Sequence, residues 1–246
     1  MKMKQKVFTY SLVLLLIILV QSLFAEVRQV REDQIIVKVK SSKQIDDIAL
    51  DYNLIVSDSI YVKKTFLLNI PDDRELSVVI DLLNDDKRVL NVSENATVGL
   101  PEVFQISQGF PDENRPVFNL GVEPINFYEQ SGNYSIGIDS AQVLSKGEGV
   151  VVAVIDNGLA IEHPLFEEAN IVFYHDYITG NNNQNINPPN TDHGTFVTGL
   201  ILLTAPECTI MPIRAFDENG ISDQFTLTKS INWAINHGAD IINLSF

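Results

Sequence analysis

Cysteine and positive charge are both scarce in this chain of 246 residues. The single cysteine excludes a small scaffold held together by disulfide bonds, and we expect Cys208 to be a buried core residue. Lysine and arginine number 17 against 32 aspartates and glutamates, which gives a formal net charge of −15. Such an acidic chain is a poor candidate for binding phosphate backbones or anionic membranes, so we expect no nucleic-acid partner. The hydrophobic share of 45% is that of a globular protein.

Only one long apolar run occurs, at residues 11–20. It follows Lys2, Lys4 and Lys6 and precedes the small residue Ala25. This order is typical of a secretory signal peptide, which we assign to residues 1–25. The run is shorter than the roughly 20 residues that span a bilayer. We therefore expect a secreted or cell-envelope protein with no membrane association after signal cleavage.

Within the predicted domain of residues 26–100, residues 34–100 alternate between strand-like and helix-like patterns. We predict strands and helices in the order β-α-β-β-α-β, at 34–40 (strand), 41–53 (helix with serine caps), 54–70 (two strands around a turn), 72–89 (helix with acids in its first turn) and 89–100 (strand). This order predicts a ferredoxin-like α+β domain.

Residues 101–146 are rich in proline and glycine, which favours an irregular connector with one short helix near 138–147. From residue 147 to 246 the pattern changes to strands separated by helices. Strands are predicted at 150–155, 171–177, 209–216 and 239–246, and helices at 193–203 and 224–237. Because the first of these strands is an unbroken β-branched run, we predict a parallel α/β sheet flanked by helices on both faces.

Two polar residues stand at positions suited to chemistry. Asp156 ends the first apolar strand, and ligands and catalytic groups gather beyond the carboxyl ends of parallel strands. His193 opens a helix, where the helix dipole favours the neutral imidazole that can act as a general base. We also expect Gly194 to let this helix approach its neighbours closely.

Three ordered segments resemble the subtilisin-like serine proteases (subtilases). They are GEGVVVAVIDNGLAIEHP (147–164), DHGTFVTG (192–199) and the long stretch from 205 to 246. The resemblance implies a subtilisin-like fold for residues 147–246 and a propeptide for residues 26–100. It also implies peptide-bond hydrolysis by a Ser-His-Asp triad.

The resemblance further implies a role for several individual residues. Asp156 and His193 would be catalytic. Gly220, Ile221, Ser222 and Asp223 would form an edge segment that pairs with extended protein or peptide substrates, and Leu244 and Ser245 would line the adjoining pocket. Asn157, at a position where the family usually has Ser or Thr, and His163 would support the catalytic residues.

The nucleophile box of the family, Gly-Thr-Ser-x-Ala, does not occur in the 246 residues. The covalent route requires that serine. The expectation is therefore a truncated zymogen whose subtilisin-like domain is incomplete and which is inactive by itself. One alternative is an inactive chain whose propeptide-like domain binds or inhibits another protease. A second alternative is glycoside chemistry by Asp156 and Glu162 as a carboxylate pair.

Neither an HExxH motif nor EF-hand spacing is present, so we assign no metal ligands and expect no required cofactor. Calcium as a structural ion is the one exception. Relatives often bind calcium, and the loop from Asp176 to Asp192 carries suitable oxygen atoms.

Overall fold

The computed structural model describes residues 29–101, 135–172, 174–180 and 191–246. The predicted signal peptide and most of the predicted connector lie outside these residues. Contacts between residues group Arg31–Phe246 into one unit. Across the described ranges, no helix has the length and apolar character needed to cross a membrane.

Residues 29–101 contain strands and helices in the order β-α-β-β-α-β. They are β1 (Val30–Val39), α1 (Ile45–Asp51), β2 (Ile55–Ile60), β3 (Thr65–Asn69), α2 (Leu76–Asn84) and β4 (Val89–Gly99). Their strands lie in the order β2-β3-β1-β4, and β3 is antiparallel to both β1 and β2.

Alternate residues of β1 build the core beneath this sheet. Ile35, Val37 and Val39 are fully buried because side chains two positions apart point to the same face of a strand. They belong to the same apolar cluster as Ile48 of α1 and Leu83 of α2. The two helices therefore cover one face of the sheet.

The second helix is shorter than its sequence pattern predicts. It begins at Leu76 rather than at residue 72, and its first turn contains no acidic residue. The reason is a local turn, because Asp72 accepts hydrogen bonds from the backbone N–H of Arg74 and from its Nε at 2.6 Å. At the first helix, Ser41 makes no side-chain capping hydrogen bond, contrary to the predicted serine cap.

The remaining elements form the C-terminal part of the chain. They are α3 (Ile138–Leu144), β5 (Val151–Asp156), β6 (Asn170–Ile171), β7 (His175–Asp176), α4 (Asp192–Thr204), β8 (Thr209–Arg214), β9 (Ile221–Asp223), α5 (Gln224–Asn236) and β10 (Ile241–Asn243). Gly238 follows α5 with a φ of 84°, a left-handed conformation that suits glycine after a helix.

A parallel sheet with the strand order β10-β5-β8-β6 organises this part. Apolar residues of β5 alternate between two cores, as predicted for a strand covered on both faces. Val152 and Val154 belong to a cluster that includes Val197 of α4. Ala153 and Ile155 belong to a second cluster, which includes Leu227 and Ala234 of α5. Cys208 is fully buried, as predicted.

Residues 171–177 do not form the continuous strand that their pattern predicts. Ile171 pairs with Ile210, and His175 pairs with Ile213. The distance from 171 to 175 is four residues, whereas the paired residues of β8 are only three residues apart. The extra residue interrupts the ladder and divides the segment into β6 and β7.

Strand β9 belongs to the N-terminal sheet and not to the parallel sheet. It pairs antiparallel with β4, where Val98 lies opposite Ser222 and Gly99 opposite Ile221. The N–H of Leu100 continues the ladder by donating to the carbonyl oxygen of Gly220 at 2.9 Å. The last strand of residues 26–100 therefore lies against the segment predicted to pair with substrate.

Candidate active site

Asp156 lies at the carboxyl end of β5, with 1% of its surface exposed. The backbone around it is fixed, because its carbonyl oxygen accepts a hydrogen bond of 2.8 Å from the N–H of Ala215, just after β8. Its carboxylate oxygen Oδ1 accepts the N–H of Asn157 at 2.7 Å. The carboxylate is therefore held in one position at the edge of the parallel sheet.

His193 is the second residue of α4 and is 8% exposed. Its Nδ1 lies 2.9 Å from both carboxylate oxygens of Asp156. Since a carboxylate can only accept hydrogen bonds, this contact favours the tautomer with the proton on Nδ1. The other ring nitrogen, Nε2, is then the atom that can accept a proton from a reacting group.

Two further hydrogen bonds connect the segment after β5 to the first turn of α4. The side-chain oxygen of Asn157 accepts the backbone N–H of Gly194 at 3.0 Å. The hydroxyl oxygen of Thr195 accepts the backbone N–H of Ala160, also at 3.0 Å. Asn157 and Thr195 are both buried. A supporting role was predicted for Asn157 from its position after Asp156, whereas none was predicted for Thr195.

His163 caps a local turn in the structure. Its Nδ1 accepts the backbone N–H of Leu165 at 3.2 Å and so caps the 3-10 turn Pro164–Phe166. Its ring centroid lies 5.8 Å from that of Phe166. The supporting role predicted for it at the catalytic residues stays a prediction.

The edge segment predicted to bind substrate is engaged with other parts of the chain. Gly220 has a φ of 72°, and Ile221–Asp223 form β9 against β4. The carboxylate of Asp223 accepts the backbone N–H of Thr226 at 2.9 Å and therefore caps α5. Ser222 is buried.

Leu244 and Ser245 follow β10, which lies parallel to β5. The carboxyl ends of these neighbouring strands meet at one edge of the sheet, so both residues lie at the same edge as Asp156. Leu244 is 45% exposed, and the hydroxyl of Ser245 donates to the side-chain oxygen of Asn243 at 2.8 Å.

A buried ion pair stands beside Asp156 and was not predicted. Arg214 is the last residue of β8, where it lies opposite Asp156 of β5 on one side and Asp176 of β7 on the other. Its Nη1 lies 3.2 Å from Oδ2 of Asp176. Burial raises the pKa of Asp176, but hydrogen bonds from Thr179 and Ile178 and the charge of Arg214 outweigh that effect, so the pKa is lowered. The sequence signal that could have indicated this ion pair is the charged residue at the end of each of the two apolar segments.

This ion pair also bears on the predicted calcium loop, which begins at Asp176. Both carboxylate oxygens of Asp176 are already engaged by protein groups. In the part of the chain that the structure describes, no group of three or more His, Cys, Asp or Glu side chains could hold a metal ion. Residues 181–190 of the loop lie outside that part.

Comparison with known proteins finds sequence similarity to proteases. Residues 147–246 match the model of the subtilase family. A calcium-dependent protease from Trichormus variabilis is 25% identical over 198 residues, which cover 76% of this chain and 28% of that protein. A thermophilic serine proteinase from Bacillus sp. (strain AK1) is 29% identical over 144 residues, which cover 52% of this chain and 35% of that protein.

The fold has a counterpart among solved structures. Fervidolysin from Fervidobacterium pennivorans, a keratinolytic enzyme related to subtilisin, superposes with a TM-score of 0.64 at 22% identity. The superposition covers 88% of this chain and 36% of fervidolysin, and it extends the similarity in fold beyond the segment matched by the family model. The chain spans less than half of the length of the curated relatives named here.

Proposed function

We propose that this chain is part of a secreted subtilisin-like serine endopeptidase, in which Asp156 and His193 are two members of a Ser-His-Asp triad. The observation that carries the proposal is the buried contact between Asp156 and Nδ1 of His193 at the carboxyl edge of a parallel sheet. The subtilase match over the same residues supports it independently.

The geometry of Asp156 and His193 supports the proposed roles. His193 Nε2 takes the proton of a serine hydroxyl while the serine oxygen attacks the carbonyl carbon of the scissile peptide bond. His193 then delivers this proton to the leaving amine, and Asp156 stabilises the imidazolium formed between these steps. A serine in a Gly-Thr-Ser-x-Ala context, which the 246 residues do not contain, would complete the triad.

Substrates are proposed to be proteins or peptides that bind in an extended conformation along β9. An edge strand offers backbone N–H and C=O groups to a peptide strand, and side-chain pockets then select among sequences. Leu244 and Ser245 are proposed to line such a pocket at the sheet edge of Asp156. The antiparallel pairing of β4 with β9 supports this role, since it is a peptide strand bound at that position.

Residues 26–100 are proposed to be the propeptide of the same protein. Three kinds of contact support this, beginning with the β4–β9 ladder. Asn95, which is fully buried, accepts the N–H of Phe225 in the first turn of α5 at 3.1 Å. Lys229 of α5 lies 2.6 Å from Asp58 of β2. With the ladder formed, residues 97–100 exclude another peptide from β9.

Secretion is proposed from the sequence of residues 1–25, which lie outside the described residues. A relative from Bacillus subtilis (strain 168) that is named a minor extracellular protease supports this, at 25% identity over 176 residues. Calcium as a structural ion stays a prediction, supported by the relatives named calcium-dependent proteases. No catalytic step is assigned to it.

The test begins with the gene. Genomic DNA and transcript are sequenced beyond the codon for Phe246, and the whole reading frame is expressed and assayed for peptide-bond hydrolysis. We expect a downstream Gly-Thr-Ser-x-Ala box, a product that cleaves peptides, and a loss of about 10⁶ in kcat for His193→Ala. The 246-residue chain by itself should not cleave the same peptides.

His237→Ala is the matched control, because this histidine is exposed near the end of α5 and should be dispensable for hydrolysis. A reading frame without a nucleophile box contradicts the proposal. Full hydrolysis by the His193→Ala variant contradicts it as well.

A further inference from the structure

The segment after β5 and the first turn of α4 are joined at two points besides the contact between Asp156 and His193. Asn157 directly follows Asp156, and its side-chain oxygen accepts the N–H of Gly194, which directly follows His193. Thr195 accepts the N–H of Ala160. Each segment therefore contributes one side-chain acceptor and one backbone donor to the other.

The separation between the two segments is fixed by backbone contact as well. A Cβ atom on Gly194 would lie 2.1 Å from the carbonyl oxygen of Gly158 and 3.2 Å from the Cβ of Asp156. The contact with the backbone oxygen of Gly158 is too short for any real Cβ, so a larger residue at 194 would force the two segments apart. The two hydrogen bonds therefore depend on a separation that glycine permits.

We propose that Asn157 and Thr195 are positioning residues that set the geometry between Asp156 and His193. This inference rests on the proposed function for its catalytic meaning. The physical reason is the short path between the bonded atoms. The N–H held by Asn157 belongs to the residue next to His193, so loss of this bond lets the imidazole move relative to the carboxylate. A displacement of 1 Å at a catalytic group is costly in rate.

Asn157 stands where a Ser or Thr is expected after a catalytic aspartate. In the structure its longer side chain makes a contact that a hydroxyl at this position would not reach. The amide side chain extends one atom further than a hydroxyl, and its oxygen reaches the backbone of the helix. The N–H of Asn157 still donates to Asp156. This residue therefore contacts both segments, with its backbone on one and its side chain on the other.

The experiment measures the tautomer of His193 in the 246-residue chain, where no serine is needed. Long-range ¹H–¹⁵N correlation spectra detect both ring nitrogens through the carbon-bound ring protons, and assignment uses His193→Gln. We expect the Nδ1–H tautomer to predominate in the neutral imidazole. Asn157→Leu and Thr195→Val should each lower the ratio of Nδ1–H to Nε2–H by up to about fivefold, because each lets the ring move and so weakens the one hydrogen bond from Nδ1 to Asp156 that favours this tautomer.

Matched variants separate positioning from general stability. Thr195→Ser keeps the hydroxyl and should retain the wild-type ratio, whereas Thr195→Val removes it at nearly the same volume. Thr204→Val removes the hydroxyl of an exposed threonine at the far end of α4, and this hydroxyl donates to the carbonyl oxygen of Leu200 in the same helix. This control should leave the ratio unchanged. In the whole reading frame, Thr195→Val should lower kcat with little change in KM.

The possible outcomes distinguish failure of the positioning role from failure of the proposed function. If Asp156→Asn changes the tautomer ratio but Asn157→Leu and Thr195→Val only lower the melting temperature, the positioning role is wrong and the contact between Asp156 and His193 stands. If the two variants change the ratio but the whole reading frame does not hydrolyse peptides, the proposed function is wrong and the positioning role stands. If no tautomer is preferred and Asp156→Asn changes nothing, both are wrong.

Discussion

Nδ1 of His193 lies 2.9 Å from both carboxylate oxygens of Asp156, although 37 residues separate the two in the chain. The parallel sheet explains this proximity. Asp156 ends β5, and α4 crosses the face of the sheet that Val152 and Val154 present to Val197. Packing of α4 on the apolar face of β5 therefore brings the start of the helix to the end of the strand.

The first prediction concerns the contribution of the carboxylate. Asp156→Asn keeps the shape of the side chain but replaces one acceptor with a donor, which favours the wrong tautomer of His193. We expect kcat for peptide hydrolysis by the whole reading frame to fall about 10⁴-fold with little change in KM. Single-turnover and steady-state kinetics measure both parameters.

Glu162→Gln is the control for this prediction. Glu162 is an exposed carboxylate six positions after Asp156, and the substitution removes a negative charge of the same kind. Hydrolysis should be unchanged in the control. An equal loss of peptide hydrolysis in both variants would contradict a specific role for the Asp156 carboxylate.

Local patterns were sufficient to predict much of this fold. The unbroken apolar run at residues 150–155 predicted a strand covered on both faces, and its residues alternate between two cores. The helix predicted at 224–237 is Gln224–Asn236. In both cases the signal lies in neighbouring residues, and packing in the folded protein reinforces the local preference.

Features that depend on distant residues could not be predicted in this way. The pairing of Val98 with Ser222 joins strands more than 120 positions apart, and no pattern within either segment indicates its partner. The ion pair between Arg214 and Asp176 was missed for the same reason, since each is only one charged residue at the end of an apolar run. Thr195 was missed because its acceptor role depends on where Ala160 lies.

The second prediction concerns acid stability. Hydrogen bonds from Arg88 lower the pKa of Asp86 to about 2, and 7% of this side chain is exposed. Because the folded pKa lies below the value of 3.8 for an ordinary aspartate, the stabilisation is present above about pH 4 and is lost as the pH falls toward 2. Asp86→Asn should therefore cost about 1–2 kcal/mol at pH 7 and less at pH 3.

Urea unfolding at both pH values measures this difference. Asp85→Asn is the control, since the neighbouring Asp85 is exposed and its substitution should change the free energy of unfolding by less than about 0.5 kcal/mol. A cost for Asp86→Asn that stays constant from pH 7 to pH 3 would show that the ion pair is not its source.

The third prediction concerns the ion pair between Lys229 of α5 and Asp58 of β2. Nζ of Lys229 lies 2.8 and 2.6 Å from the two carboxylate oxygens, and both side chains are partly exposed. We expect Asp58→Asn to lower the free energy of unfolding by less than about 1 kcal/mol. The loss should shrink at high salt, since mobile ions screen exposed charges.

A double-mutant cycle with Lys229→Met isolates the pair, and unfolding is measured at two salt concentrations. Asp33→Asn serves as the control for a lost carboxylate on the same sheet, at an exposed position of β1. A coupling energy of zero at low salt would show that this pair does not help to hold β2 against α5.

The fourth prediction concerns Leu100, which follows β4 and is 3% exposed. Its side chain belongs to the cluster of Ile155 and Phe216, and its N–H bonds to Gly220. Leu100→Ala should create a cavity that costs about 2–5 kcal/mol. Because this residue connects β4 to the core beneath β9, part of the loss should be local opening of the β4–β9 ladder.

Hydrogen exchange of the full chain measures that opening directly. Amides of Ile221–Asp223 and Thr97–Gly99 should exchange faster in Leu100→Ala, whereas those of β5 should keep their protection. Leu50→Ala is the control, because Leu50 is 81% exposed and leaves no cavity. If exchange rises equally in every strand, Leu100 stabilises only the whole fold. If it rises only in β4 and β9, Leu100 is the apolar anchor that keeps residues 97–99 paired with β9, and its loss frees this proposed substrate-binding edge for another peptide.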